Sequence, residues 1–406
     1  MSIENNPKHS CCGCEACVLK CPKGAISMHE DDEGFRYPTV DKEACVECGV
    51  CEKVCQYISP VQKHDTPLLA YGGHNVDAEV LDQSTSGGAF SAIVDFWCDD
   101  NYVIFGAESK GLKVFHSFIT DKALLKKFRR SKYSQSRMGT AYRDAKAFLK
   151  EGKKVLFSGT PCQIAGLKSY LGGKDYSNLL TVEVICEGVP SPLFVRKLED
   201  KIKAEHVSNI ENLDYRFKDG NKWDYQVMKI SLFQQDSGKI KSKKKDRWFN
   251  PFWSIWLQHL MSRPSCYKCL YTTPERVADI TLGDLWGVHL YCPDLYNSNR
   301  GCSLVVVNTS LGKSVLEGTT ASGMFVGREL KFSQALKYQG PMRKSISENP
   351  KRRDFISDLQ SPMSYDAICR KWAKRPSFKL LISKYVWGTN RQKVWIWKIK
   401  RMFKKV

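Results

Sequence analysis

The chain has 406 residues, 42% of them hydrophobic and 26% charged, which is enough for about two or three domains. No apolar run approaches the roughly 18 residues that a membrane-spanning helix needs, and the polar start MSIENNPKHS lacks the apolar stretch of an export signal, so a cytoplasmic protein is expected. The net charge is +20, yet Arg370 to Val406 carries 13 Lys and Arg and no Asp or Glu, leaving +7 for the rest. With no nucleic-acid motif beside it, this tail charge predicts no nucleic-acid partner.

Cys11, Cys14, Cys17 and Cys21, followed by Pro22, repeat their spacing in Cys45, Cys48, Cys51 and Cys55. A C-x2-C-x2-C-x3-C run sets three thiolates around one 4Fe-4S cubane and sends the fourth, expected at the start of a helix, to a second cluster. The expected wiring is Cys11, Cys14, Cys17 and Cys55 on one cluster, with Cys45, Cys48, Cys51 and Cys21 on the other. Zinc fits badly, because it takes two separated cysteine pairs, and disulfides need an oxidising compartment. Gln56 stands where a proline often follows the last cysteine, and Cys12 is a spare thiol beside Cys11. Residues 1–58 are thus an expected dicluster ferredoxin domain whose small core depends on its clusters. The polar segment 59–67, SPVQKHDTP, reads as a linker.

Residues 68–335 alternate β-branched runs with helical patterns. Strands are expected at 102–109, 154–160, 179–188, 279–284 and 303–309, and a helix from Gln163 to Leu171. The fold class is therefore α+β/α/β, a ferredoxin domain followed by a mixed α/β domain whose sites gather where strand ends meet helix starts. Residues 213–260, polar and aromatic with KSKKKDR at 241–247, are an expected hairpin insertion.

STSGGAF (84–90) precedes an apolar helix, and its small residues suit a phosphate or pyrophosphate, or serve as a plain helix cap. Cys162 in FSGTPCQ, Cys186 in VICEGVPSP, and Cys266 and Cys269 in SCYKC supply four thiolates, enough for a third cluster or a zinc site. Cys98, Cys292, Cys302 and Cys369 lack partners at useful spacing and are expected to pack as small apolar residues. Residues 336–406 form an expected basic, aromatic, helical extension. Its Trp387, Trp395, Trp397, Ile399 and Phe403, interleaved with cations, suit a helix lying at the inner face of a membrane. The same pattern also suits a helix packed on the main domain.

STSGGAFSAI, RRSKYSQS (129–136), FSGTPCQIAGL, ICEGVPSP, CYKC, ADITLGDLWGV and GCSLVVVNTSLG follow one another over about residues 68–312. In this the chain resembles the coenzyme F420 hydrogenase/dehydrogenase beta-subunit family. The resemblance implies an iron–sulfur flavoprotein oxidoreductase with a third 4Fe-4S cluster on Cys162, Cys186, Cys266 and Cys269. It also implies FAD, although the sequence has no G-x-G-x-x-G fingerprint. Ser86, Gly87 and Gly88 are the implied pyrophosphate contacts. Lys132, Tyr133, Gln135 and Ser136 are implied near the flavin, although Arg130 stands where the family often has glycine. Thr160 and Pro161 would place Cys162, while Asp279, Asp284 and Trp286 would line the cofactor side of the next strand end, with a helix cap and a core aromatic as the plain readings of the last two.

The implied activity is electron relay from a ferredoxin-like donor through the clusters to FAD and on to a small-molecule substrate. Similar fusions resemble proteins encoded beside surface-polysaccharide assembly enzymes, so a sugar is an implied target by family analogy. A carrier subunit docking on a separate redox enzyme is the alternative.

Overall fold

The computed structural model describes residues 3–206, 208–234 and 237–403. Near the N-terminus, β1 (Ile26–Glu30) and β2 (Arg36–Val40) pair antiparallel between the two cysteine loops. Beyond them come β3 (Leu69–Asn75), β4 (Tyr102–Lys110), β5 (Lys113–Ile119), β6 (Lys154–Gly159) and β7 (Leu179–Val184). They are followed by β8 (Ser208–Phe217), β9 (Val227–Gln234), β10 (Ile240–Lys245), β11 (Ile280–Asp284), β12 (Ser303–Val307) and β13 (Phe325–Leu330).

Eight of these strands form one mixed sheet in the order β13-β3-β12-β11-β7-β6-β4-β5. The inner strands β4, β6, β7 and β11 are mutually parallel, and antiparallel partners close both sides. Apolar runs such as LLTVEV in β7 and SLVVV in β12 are buried almost throughout, as strands covered on both faces require.

Side chains alternate across the sheet and build two cores. On one face Val103, Phe105, Val155 and Phe157 pack under the helices Ala141–Lys150 and Pro161–Leu171, and Ala16 and Val54 of the cysteine-rich segment join the same core. On the other face Ile104, Leu156, Val182, Leu282 and Val305 meet the helices Ala89–Trp97 and Ser310–Ala321.

Three sequence expectations need correction. Cys21 lies at the end of the helix Ala16–Lys20, where extended backbone precedes Pro22, and not at the start of a helix. The strand expected to reach 188 stops at Val184, and the irregular segment that follows it contains Gly188 at φ +103°. The insertion is a three-stranded sheet, β10-β9-β8, and not a hairpin. It starts before residue 213 because Ile210, Leu213 and Tyr215 enter a separate core with Phe194, Phe252 and Trp253.

The tail is seated on one side only. Val394, 4% exposed, packs in the helix Asn390–Phe403 against the core around Leu285, while Trp387, Trp395 and Phe403 stand 72%, 63% and 77% exposed. Among the described residues no helix is long and apolar enough to cross a membrane.

Candidate functional site

The two N-terminal cysteine loops share one backbone. Gly13 and Glu15 flank Cys14 with φ of 67° and 61°, and Glu47 and Gly49 flank Cys48 with φ of 49° and 69°. Left-handed residues on both sides of a cysteine bend the loop tightly, a conformation suited to an anionic cluster. The first set behaves as one group of thiols. Burial pushes Cys17 well up, and Cys14, Cys11 and Cys55 push it further, as like charges do when they crowd together. Cys48 in the second set is exposed.

The four downstream cysteines are brought together by strand pairing. Gly159 at the end of β6 is registered with Glu183 of the adjacent parallel strand β7, so Cys162 and Cys186, each three residues further on, leave the sheet side by side. Thr160 and Gln163 form a capping box at the helix start, and Thr160 Oγ1 lies 3.2 Å from Cys162 Sγ. The Gly188 N–H donates to Cys186 Sγ at 3.3 Å, and a Cβ on Gly188 would stand 3.1 Å from Cys266 Cβ. Arg263 N–H donates to Val189 O at 3.0 Å, tying the Cys266 turn to the loop after β7.

Burial raises Cys186 well above the thiol range, with Cys266, Cys162 and Cys269 adding to it, and brings Cys266 to about 12 and Cys269 to about 11. Such thiols ionise together only around bound positive charge, which an iron cluster supplies. Among the described residues no three Cys, His, Asp or Glu side chains close on a single ion position. Four cysteine sulfurs are the donor set of a 4Fe-4S cluster and equally of a four-cysteine zinc site.

The two sets meet at a junction that spacing does not reveal. Cys12, buried, lies within hydrogen-bonding reach of both Cys14 and Cys162. Its S–H favours the thiolates on either side, lowering Cys162 and bringing Cys14 down to about 7. A Cβ on Gly166, in the helix carrying Cys162, would stand 3.1 Å from Cys14 Cβ and 2.7 Å from the Tyr142 hydroxyl, so only glycine permits this approach. Gln56 Nε2 donates to Cys162 O at 2.8 Å while its Oε1 accepts from the Tyr271 hydroxyl. Gln135 Nε2 donates to Cys12 O and Gly13 O at 2.6 and 3.0 Å. The departure at Gln56 was visible in the sequence. Its partners were not.

The residues that the resemblance implies for FAD have partners within the chain. Ser86 Oγ donates to Cys302 O at 2.8 Å, and the Gly87 N–H donates to Ser303 Oγ at 2.9 Å. A Cβ on Gly87 would lie 2.4 Å from Ser303 N, so its small size serves packing on the sheet, and Gly88 (φ +80°) caps the next helix. Lys218, unmarked by any motif, holds the same turn by donating to Ser86 O and Leu81 O, both at 2.6 Å. Lys132 Nζ donates to Lys127 O and Arg129 O at 3.0 and 2.9 Å, and Tyr133 packs edge-on against Trp253 at 4.9 Å.

Ser136 Oγ bonds His116 Nδ1 and Gln163 Nε2 at 2.8 and 2.7 Å. Asp284 accepts from Arg216 and from Trp223 Nε1, and Trp286 stacks on Trp223 at 5.1 Å. Asp279 precedes β11, at the far end of that strand from Asp284, where it accepts from Thr181 and Thr309. Arg216 and Lys218 link Ser86, Asp284 and Trp286 to one another, while Asp279 stands apart at the other end of β11.

Residues 10–58 match the 4Fe-4S dicluster domain, and residues 152–331 match the family described as the C terminus of the coenzyme F420 hydrogenase/dehydrogenase beta subunit. The chain joins a dicluster domain to the C-terminal domain of that beta-subunit family. All eight N-terminal cysteines fall in the first match, and Cys162, Cys186, Cys266 and Cys269 in the second. No curated protein matches the chain. Among solved structures it is similar to a chain of the xenon-derivatised F420-reducing NiFe hydrogenase complex from Methanosarcina barkeri. The two are 17% identical with a TM-score of 0.41, over 71% of this chain and 97% of that one. The beta-subunit domain behind its dicluster domain makes this an iron–sulfur electron-transfer protein.

Proposed function

We propose that the chain is a three-cluster electron relay within a larger redox assembly. Bound 4Fe-4S clusters supply one-electron transfer. Cys45, Cys48, Cys51 and Cys21 would hold the outer cluster, with Cys48 and Val46 exposed toward a donor such as a ferredoxin or a partner redox protein. Cys11, Cys14, Cys17 and Cys55 would hold the next, and Cys162, Cys186, Cys266 and Cys269 the innermost. The observation that carries this order is the contact of Cys14 with the Cys162 helix at Gly166, with Cys12 between the two sets. Anaerobic reconstitution with iron, sulfide and flavin quantification tests it, since clusters without flavin mark a relay protein. A chain that takes up zinc and no iron overturns the proposal.

A second reading is an FAD-dependent oxidoreductase acting on a small molecule or sugar. One observation favours it. Arg216, 5% exposed, leaves Nε and one terminal nitrogen without a hydrogen-bond partner beside the Trp223–Trp286 stack, as a ligand-binding cation would. Flavin retained through purification separates this reading from the first.

The basic tail, with Trp387, Trp395 and Phe403 exposed beside its cations, is proposed to rest on an anionic membrane surface.

A further inference from the structure

Arg263 is a buried cation at the meeting of the two inner cysteine sets. It is 1% exposed and lies three residues before Cys266. Its Nε donates to Cys11 O at 2.8 Å, Nη1 to Gln135 Oε1 at 2.9 Å, and Nη2 to Arg36 O at 2.8 Å and to Cys11 Sγ at 3.7 Å. The guanidinium faces the Tyr37 ring at 4.3 Å and the Phe35 ring at 5.4 Å. Space for it depends on Gly13, where a Cβ would stand 3.0 Å from Arg263 Nη1.

Each of these acceptors is a neutral oxygen or a cysteine sulfur. Acidic side chains of the same region are engaged by other cations: Glu15 pairs with Arg36 at 2.8 Å and Glu33 with Arg352. A guanidinium taken out of water without a carboxylate needs another anion to offset its desolvation. The anion that the surrounding chemistry offers is a thiolate-ligated cluster. The repeated loop provides an internal contrast, because Cys45 occupies the place of Cys11 in the second copy and, among the described contacts, receives no such donor.

We propose that Arg263 is a positioning residue that sets the reduction potential of the cluster held by Cys11, Cys14, Cys17 and Cys55. This rests on the reading of that set as a 4Fe-4S site. A positive charge and a hydrogen bond at a ligand sulfur stabilise the cluster after it gains one electron, and so raise its potential. No bond is made or broken. The consequence is a bias inward, since the outer cluster lacks this cation.

Full-length protein, reconstituted anaerobically, is titrated electrochemically and followed by electron paramagnetic resonance, with iron counted in each sample. Arg263→Gln is expected to keep its iron and to move one midpoint to a more negative potential, leaving the outer cluster unchanged. Arg263→Lys keeps the charge without the fork and is expected to shift the same midpoint less.

Unchanged midpoints in an iron-replete Arg263→Gln protein overturn the proposal, as does an equal shift in every cluster. If Arg263→Gln loses iron, Arg263→Lys decides by the presence or absence of the shift. Unaltered protein that binds no iron defeats the cluster assignment itself, which is a separate result.

Discussion

Gln56, next to the last cysteine of the dicluster motif, joins that motif to the downstream cysteines: its amide donates to the carbonyl of Cys162 across 2.8 Å, and its oxygen accepts from Tyr271. Gln56 is 1% exposed and spans the boundary between two segments 106 residues apart in the chain. Replacing it by alanine leaves a buried carbonyl and a buried hydroxyl without this partner, at about 1–3 kcal/mol. Gln56→Ala is expected to lower the denaturant midpoint without changing the iron count, and chemical unfolding checks it.

Cys162→Ala and Cys269→Ala are each expected to remove one cluster and spare the N-terminal pair. Iron should fall from about twelve to about eight per chain. Iron analysis with spectroscopy of the remaining clusters reads this directly, and unchanged iron in both variants would show these cysteines to be structural thiols.

Gly166→Val tests the junction. A Cβ there would meet the Tyr142 hydroxyl at 2.7 Å and Cys14 Sγ at 3.3 Å. Overpacking of this kind costs about 1–3 kcal/mol. The substitution should also slow electron passage from the N-terminal clusters to the third, measured by rapid freeze-quench after reduction. Equal rates in both proteins would place the electron route elsewhere.

His116 is buried with Nδ1 on Ser136 and Nε2 against Ser158 O at 2.9 Å, and burial brings its pKa down from 6.5 to about 4. The folded state therefore binds fewer protons than the unfolded state between these values. Stability is full above about pH 6.5 and falls as the pH drops toward 4, by roughly 3 kcal/mol from this residue. Urea midpoints at several pH values should show that slope in the unaltered protein, and His116→Gln should flatten it.

The exposed tail tryptophans predict lipid binding with two components. Each cation that reaches an anionic surface adds about 1 kcal/mol, weakened by salt, while inserted indoles resist salt. Trp387→Ser with Trp395→Ser in the full chain is expected to abolish the salt-resistant part of co-sedimentation with anionic vesicles. Equal recovery of variant and unaltered protein would discard the membrane reading.

Local chemistry was legible in the sequence wherever it repeats or alternates. The doubled cysteine spacing announces two clusters because ligation depends on short, fixed separations along the chain. The β-branched runs at 102–109, 154–160 and 303–309 announce the sheet because burial on both faces demands unbroken apolar residues. What no spacing reveals is which strands lie side by side. Cys162 and Cys186 became neighbours through the register of β6 on β7, and Arg263 reached Cys11 across 252 residues of intervening chain.

Side-chain type alone shows the opposite limit. Ser86, Gly87 and Gln135 are small or polar in ways that suit a cofactor, yet the folded chain supplies their partners itself, from Cys302, Ser303 and the Cys12 loop. A residue type specifies what it is able to bind. Only the tertiary structure decides whether another part of the same chain gets there first, because hydrogen-bonding groups removed from water take the nearest partner that folding delivers.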